Sequence, residues 1–422
     1  MFRRAALATV LLLLAACGAG GDGRGAFVES RIPATLGPGF WAPDGWAWGL
    51  LKVGDAPVQR YGVSSTLITP QAQILILPGY GESAEAWFET AGDLNRRGYS
   101  VWVLERAGQG GSERYVLPRD LGHAPGFRDD IRAVKTLSRM MASASPGTPI
   151  IILGHSVGGL VAVAADEQGA PVEGLILSAP AFAGTDLIDS GKASLVRAGL
   201  GRLPAAWNTG WSRTGPDGRA AGLTSDPLRG KIEMAWQTAN PDLRMGGPSL
   251  GWLAGFRATS RAIEPGLGDL ETPTLLLNAG ADRHADPAAQ AEVCRAMARC
   301  RLYSFAGARH ALHLERNAIR GPWLAAVDSV VRTRAGSRPV LIGPAVDHGL
   351  KRTFSSPDPD DRVLPTILVG NSRGVSPICR VLTTRGLASG PSLTPCSRPA
   401  TDTGRRSRSS RIRTVHRSPI PI

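Results

Sequence analysis

The chain has 422 residues, 43% of them hydrophobic, enough for one large domain with appendages or for two domains. The net charge of +13 suggests an acidic partner, but residues 335–422 carry 14 Lys/Arg against 5 Asp/Glu and so hold +9 of it. The +4 left on the remainder excludes a nucleic-acid footprint for the folded part.

The first residues read as a targeting signal. Arg3 and Arg4 precede the apolar run Ala5–Leu14, which is shorter than the roughly 20 residues a membrane-spanning helix needs. Small residues then lead to a cysteine in Leu14-Ala15-Ala16-Cys17, which resembles the bacterial lipobox. That resemblance implies a lipoprotein signal peptide over 1–17 and lipidation of Cys17. The protein is then expected in the bacterial cell envelope, on the periplasmic face of the outer membrane, held there by several acyl chains. Residues 18–55, rich in Gly, Pro and Trp, read as a tether followed by a surface segment.

From residue 56 the pattern changes. Short apolar runs bounded by Gly and Pro alternate with helical stretches, which predicts β-α-β units and a mostly parallel sheet. Strands are expected at 74–77, 101–104, 150–153, 175–177, 274–278 and 302–305, covered on both faces. Phe127, Ile131, Val134, Leu137 and Met141 recur at helical spacing, which predicts a helix over 127–142. Residues 181–270 break the rhythm: Trp207, Trp211, Trp236 and Trp252 are scattered among short helical pieces, as in an inserted cap. The core is thus expected over 56–180 and 271–334. Beyond 335 the chain is rich in Arg, Pro and Ser with little periodicity, the composition of a disordered tail. Cys294 and Cys300 stand six residues apart across an expected helix-to-strand turn; they either pair in an oxidising compartment or remain buried thiols. Cys379 and Cys396 lack metal-ligand spacing, and neither a cofactor nor a metal is expected.

The chemistry is concentrated in "IIILGHSVGG" (150–159), where an apolar run enters Gly-His-Ser-Val-Gly. A strand turning sharply into a helix strains the backbone at Ser156 and exposes its hydroxyl at the helix start. Gly154 and Gly158 supply the missing side chains that such a crossing requires. A serine hydroxyl is a poor nucleophile without a base, so a carboxylate and a histidine should follow in chain order. "TPTLLLNAGADRHAD" ends a strand in a loop with Asp282, and "RLYSFAGARHALHLE" ends one in a loop with His310. Asp286, before a proline, competes with Asp282 but reads as a helix cap. His313 competes with His310 but falls where a helix is expected. His123 and His284 read as loop histidines, and His155 as packing beneath the serine. The oxyanion of a tetrahedral intermediate needs two backbone donors. Val157 N–H supplies one, and Tyr80 N–H, in "ILILPGYGES", the other.

These segments resemble the α/β-hydrolase superfamily, in its bacterial lysophospholipase and monoacylglycerol lipase branch. "LPGYGES" (77–83), "LERAGQGGSER" (104–114), "GHSVGG" (154–159) and "AGADRHAD…GARHALHLER" (279–316) carry the resemblance, joined by "LTSDPLRGKIEMAWQTANPDLRMGGPSLGW" (223–252) in the cap. The resemblance implies an α/β-hydrolase fold with Ser156 as nucleophile, Asp282 as acid, His310 as base and oxyanion donors at Tyr80 and Val157. It implies an acyl-ester lipid as substrate. Two positions depart from the pattern: Pro78, where many relatives carry His, and Glu105, where Asp is commoner.

Overall fold

The computed structural model describes residues 23–66, 69–182, 189–206, 210–212, 220–336 and 369–370. Cys17 with the rest of the signal segment, Trp207, and the tail beyond 336 apart from residues 369–370 lie outside the described residues.

The central feature is a sheet in the order β8-β7-β6-β5-β3-β4-β2-β1-β9. Its strands are β1 (Ala47–Leu51), β2 (Gln59–Ser64), β3 (Ala72–Leu77), β4 (Tyr99–Leu104), β5 (Ile150–His155), β6 (Gly174–Ser178), β7 (Thr274–Ala279), β8 (Cys300–Phe305) and β9 (Val369–Gly370). From β3 to β8 the strands are parallel, while β1 and β2 join antiparallel. Every residue of β3, β5 and β6 is buried, as expected for Ile/Leu-rich runs covered on both faces. With helices on the two faces, this is the α/β-hydrolase architecture.

Four expectations fail toward the sheet edges. The segment 18–55, read as a tether and surface piece, supplies β1, and its Trp46 and Trp48 enter the core. β2, "QRYGVS", was not foreseen because its polar Gln59 and Arg60 are buried through pairing rather than apolarity. β8 is an edge strand with Leu302 and Tyr303 exposed, so two-sided cover does not extend to it. In the tail expected to be disordered, Val369–Gly370 pairs antiparallel with β1.

The helices on the sheet are α1 (Phe88–Asn95), α2 (Arg128–Ala144), α3 (Val157–Glu167), α7 (Pro287–Ala296) and α8 (Asn317–Ala335); the insertion carries α4 (Ser190–Leu195), α5 (Ile232–Ala239) and α6 (Leu250–Ile263). α2 buries Ile131, Val134, Leu137 and Met141, the stripe its spacing predicts, and has Asp129 and Asp130 at its positive N-terminal end. The first nine residues of α3 are all buried, so this helix lies inside the domain. Between α7 and β8, Cys294 and Cys300 have Cα atoms 5.3 Å apart and their sulfurs at bonding distance.

At the C-terminal end of α3, burial raises Asp166 to about 6 and Glu167 to about 7. Asp166 also receives a hydrogen bond from Thr272, but among the described residues one oxygen of each carboxyl is buried without a partner. The folded chain therefore keeps protons that the unfolded chain has already released. This pair's contribution to stability is full below the ordinary carboxyl range and is lost as pH rises through about 6 and 7. Glu167→Gln is expected to flatten the fall in denaturation midpoint between about pH 5 and 7.5; an unchanged slope refutes the assignment.

Candidate active site

The sheet order reverses between β3 and β5, because the chain runs from β3 to β4 on one side and then crosses to β5 on the other. Such a switch point leaves a crevice beyond the carboxyl ends of the two strands. Ser156 stands there, directly after β5 and at the start of α3. Its φ of 52° and ψ of −126° are strained for a residue with a side chain. The turn is held by Ser156 N donating to Ser178 O at 3.1 Å and by Ala181 N donating to Ser156 O at 3.0 Å. The glycines are needed for close approach: a Cβ on Gly158 would lie 2.1 Å from Leu77 O, and one on Gly154 2.7 Å from Gly158 O.

The same packing brings the loop after β3 onto the serine. A Cβ on Gly79 would sit 3.1 Å from both Ser156 Cβ and His155 Cδ2. Tyr80 follows Gly79 in this loop, as Val157 follows Ser156 at the start of α3. The Tyr80 side chain turns toward the cap: its hydroxyl donates to Gly246 O at 2.9 Å and its ring meets Trp252 edge-on at 4.8 Å. After Pro78 the loop is tied by Glu82. Its Oε2 accepts from Gly79 N at 2.7 Å and from Trp87 Nε1 at 3.2 Å.

Asp282 lies three residues beyond β7 and His310 five beyond β8, and the two loops are laced together. Gly280 N donates to Phe305 O at 2.9 Å and Ala281 N to Ala308 O at 2.8 Å. His310 Nδ1 lies 2.7 Å from Asp282 Oδ2, while Asp282 Oδ1 accepts from His284 N at 2.8 Å and Ala285 N at 3.1 Å. Burial works to raise the Asp282 carboxyl, but the His310 hydrogen bond and charge and the two amides outweigh it, so it is held below the usual carboxylate range. A carboxylate in this position fixes the ring tautomer with Nδ1 protonated and Nε2 turned elsewhere. Ser156, Val157, Tyr80 and His310 line one cavity of about 500 Å3. A larger cleft of about 820 Å3 is lined by charged side chains, among them Lys52, Arg114 and Arg132, and contains none of these residues.

The competing residues have other places. Asp286 caps α7, its Oδ1 accepting from Ala288 N at 2.9 Å. His123 Nδ1 lies 2.8 Å from Ser249 Oγ and is not among the residues lining the cavity. His284 lines the cavity, its ring centroid 5.4 Å from that of His310. His155 is buried under the serine, Nδ1 at 2.9 Å from Ser178 O. His313 is fully buried in a short turn (Leu312–Leu314), not a long helix, and stacks on Trp87 at 3.7 Å. Burial lowers His155 and lowers His313 further.

The cap closes the cavity with Leu223, Met234, Met245, Trp252, Leu253 and Phe256. It is anchored close to the base: Ala311 N donates to Leu223 O at 2.8 Å, and Arg229 pairs with Glu89 at 2.7 Å. Of the described cap tryptophans only Trp252 faces the cavity. Trp236 packs on Phe88 in the main core, and Trp211 Nε1 donates to Gln237 Oε1 at 2.6 Å. Glu82, Met234 and Met245 were not singled out in the sequence, where nothing marks a lone Glu or Met as facing a cavity.

Residues 68–317 match the model of the serine aminopeptidase S33 family. The chain belongs to that family. Among individual proteins, it is 26% identical over 279 residues to lysophospholipase L2 of Escherichia coli (strain K12), covering 60% of this chain and 78% of that one. Among solved structures it resembles a highly thermostable carboxyl esterase from Bacillus coagulans, with a TM-score of 0.57 at 16% identity over 68% of this chain and 99% of that chain. It also resembles a soluble variant of monoglyceride lipase from Saccharomyces cerevisiae, with a TM-score of 0.52 at 16% identity over 72% of this chain and 97% of that chain. Both likenesses establish the fold of this S33 member.

Proposed function

We propose that the chain is a serine hydrolase that cleaves acyl esters of lysophospholipids or monoacylglycerols. The observation that carries this reading is Ser156, strained at the end of β5, on the wall of an apolar cavity that it shares with a carboxylate-held His310. His310 Nε2 takes the serine proton as Oγ attacks the ester carbonyl. Asp282 keeps the ring oriented and stabilises the imidazolium. The Val157 and Tyr80 amides receive the oxyanion. The imidazolium then gives its proton to the departing alcohol, and water activated by His310 cleaves the acyl-enzyme. Trp252, Phe256, Met234 and Leu253 offer the acyl chain an apolar wall in a volume of ordinary ligand size. The name of the Escherichia coli relative agrees with this substrate class.

A second reading, peptidase action, is favoured by the family description and by one acid. Glu233 lines the cavity and is positioned to meet a substrate amine. Burial raises its carboxyl well above the usual range, partly offset by Gln237, whose Nε2 donates to Oε1 at 2.8 Å. Burial that disfavours the charged carboxylate also weakens its hold on an ammonium group. Asp226 is paired to Arg229, and Asp242 is exposed; neither lines the cavity. The test is kcat/KM across monoacylglycerols, lysophospholipids and aminoacyl esters, in the parent and in Glu233→Gln. The lipid esters are expected to be preferred by at least about tenfold, with Glu233→Gln changing them by less than about threefold. Preference for aminoacyl substrates, lost in Glu233→Gln, would establish the peptidase instead.

The lipobox-like segment supports anchoring through Cys17 in the cell envelope, and the approach of Cys294 and Cys300 suits disulfide formation in its oxidising space. Cys17→Ala is expected to move the protein from the membrane to the soluble fraction; unchanged fractionation contradicts the anchor.

A further inference from the structure

Beside the Ser156–His310–Asp282 constellation lies a cluster none of whose members carries out a step of the proposed acyl transfer, although Glu82 ties the neighbouring loop. Glu82, His155 and His313 each present a ligand atom within 4.8 Å of the others, and all three residues are buried. Glu82 Oε1 stands 3.5 Å from His155 Nε2 and 3.5 Å from His313 Nε2. A zinc ion bound tetrahedrally to nitrogen and oxygen at about 2.0–2.1 Å holds its ligand atoms roughly 3.4 Å apart. Two of the three edges already have that length.

The surroundings prepare these groups as ligands. The Ser178 carbonyl behind His155 holds the proton on Nδ1, which leaves the Nε2 lone pair facing Glu82. A carbonyl behind the ring is the usual way of orienting a metal-ligating imidazole. His313 is completely buried, and among the described residues neither of its ring nitrogens has a hydrogen-bond partner. A buried orphan of that kind calls for an explanation, and an ion is one. Its ring cannot swing freely, because it is stacked within 10° of parallel on Trp87, whose Nε1 holds Glu82 Oε2. Oε1 of Glu82 is thereby left toward the two imidazoles. Glu82 and His155 both line the Ser156 cavity, which gives an ion its entry path and a water its place as fourth ligand.

We propose that Glu82, His155 and His313 form a site for a divalent transition-metal ion of the zinc class, opening on the substrate cavity, whose occupancy inhibits the enzyme. Two imidazoles and one carboxylate suit zinc better than magnesium or calcium. Inhibition follows from distance: the His155 and His310 rings are 4.8 Å apart, so a dication on His155 opposes the positive charge His310 must take up. This inhibitory half rests on the esterase reading; the binding half does not.

The test uses the full chain, stripped with a chelator and titrated with Zn2+ alone and then Co2+ alone. One tight zinc per chain is expected, with intense visible absorption from the cobalt form, as four-coordination requires, and reversible loss of ester hydrolysis. His313→Gln weakens zinc binding by at least about tenfold, while His284→Gln, beside His310, leaves the zinc affinity unchanged. Equal affinity in His313→Gln and the parent, or loss of binding in His284→Gln, overturns the site. Where His313→Gln fails to fold by circular dichroism, X-ray absorption of the zinc-loaded parent decides: two imidazoles support the site and fewer refute it. A chain that binds zinc in this way but cleaves no ester keeps the site and sinks only the esterase reading.

Discussion

Ser156→Ala is expected to lower kcat for acyl-ester hydrolysis by roughly 10^4-fold or more with an unchanged unfolding temperature. The substitution removes one oxygen at the cavity wall and leaves the elbow in place, since the backbone bonds to Ser178 and Ala181 do not involve the side chain. Asp282→Asn should cost about as much, because an amide opposite Nδ1 no longer enforces the productive tautomer. Double substitution of Ser156 and His310 should cost little more than Ser156→Ala alone, since members of one relay fail together. Retention of more than about a tenth of parental kcat by Ser156→Ala means that the nucleophile is another group. Labelling by a fluorophosphonate probe, lost in the same variant, checks the assignment without a substrate.

What made the site legible in the sequence was local. A strand that must turn into a helix within two residues writes glycines on both sides of the turn, and Gly154 and Gly158 are there for that reason. Asp282 and His310 follow strands that pair in parallel register, Ala279 opposite Phe305, so position past the strand end translates directly into position on the rim. The illegible parts are those fixed by long-range pairing. β2 hides because Arg60 is neutralised by Glu85 and Glu105, 25 and 45 residues away in the chain. The cap reads only as a break in rhythm, and which of its tryptophans faces the cavity depends on Trp236 having found Phe88. Nothing in the sequence announces that Glu82 ties the loop after Pro78, since its partners, the Gly79 amide and Trp87, are brought to it by the turn itself.

Arg60→Met is expected to destabilise the fold by about 3–5 kcal/mol, read from the urea midpoint at constant slope. The Arg60 side chain and those of Glu85 and Glu105 are fully buried. Its Nε meets Glu105 Oε2 at 2.8 Å, and Nη2 meets Glu105 Oε1 at 2.6 Å and Glu85 Oε2 at 2.9 Å. Trp48 covers the guanidinium at 4.1 Å. Burial acts to lower the Arg60 pKa, but the two carboxylates outweigh it and hold it above its already high range. Methionine keeps most of the stem volume and removes the charge, so the loss measured is that of two carboxylates left buried without a cation. Adding Glu85→Gln and Glu105→Gln to Arg60→Met should therefore recover much of the stability, a non-additivity that a simple packing defect does not produce. The consequence reaches the chemistry, because Glu105 Oε1 also accepts from Ala84 N at 2.7 Å and Oε2 from Gly111 N at 2.7 Å. Ala84 closes the loop that begins at Gly79 and carries the Tyr80 amide, so kcat should fall in Arg60→Met even where the variant is still folded. A loss below about 1 kcal/mol, or full activity at the parental optimum, means that the cluster neither stabilises the sheet edge nor holds that loop.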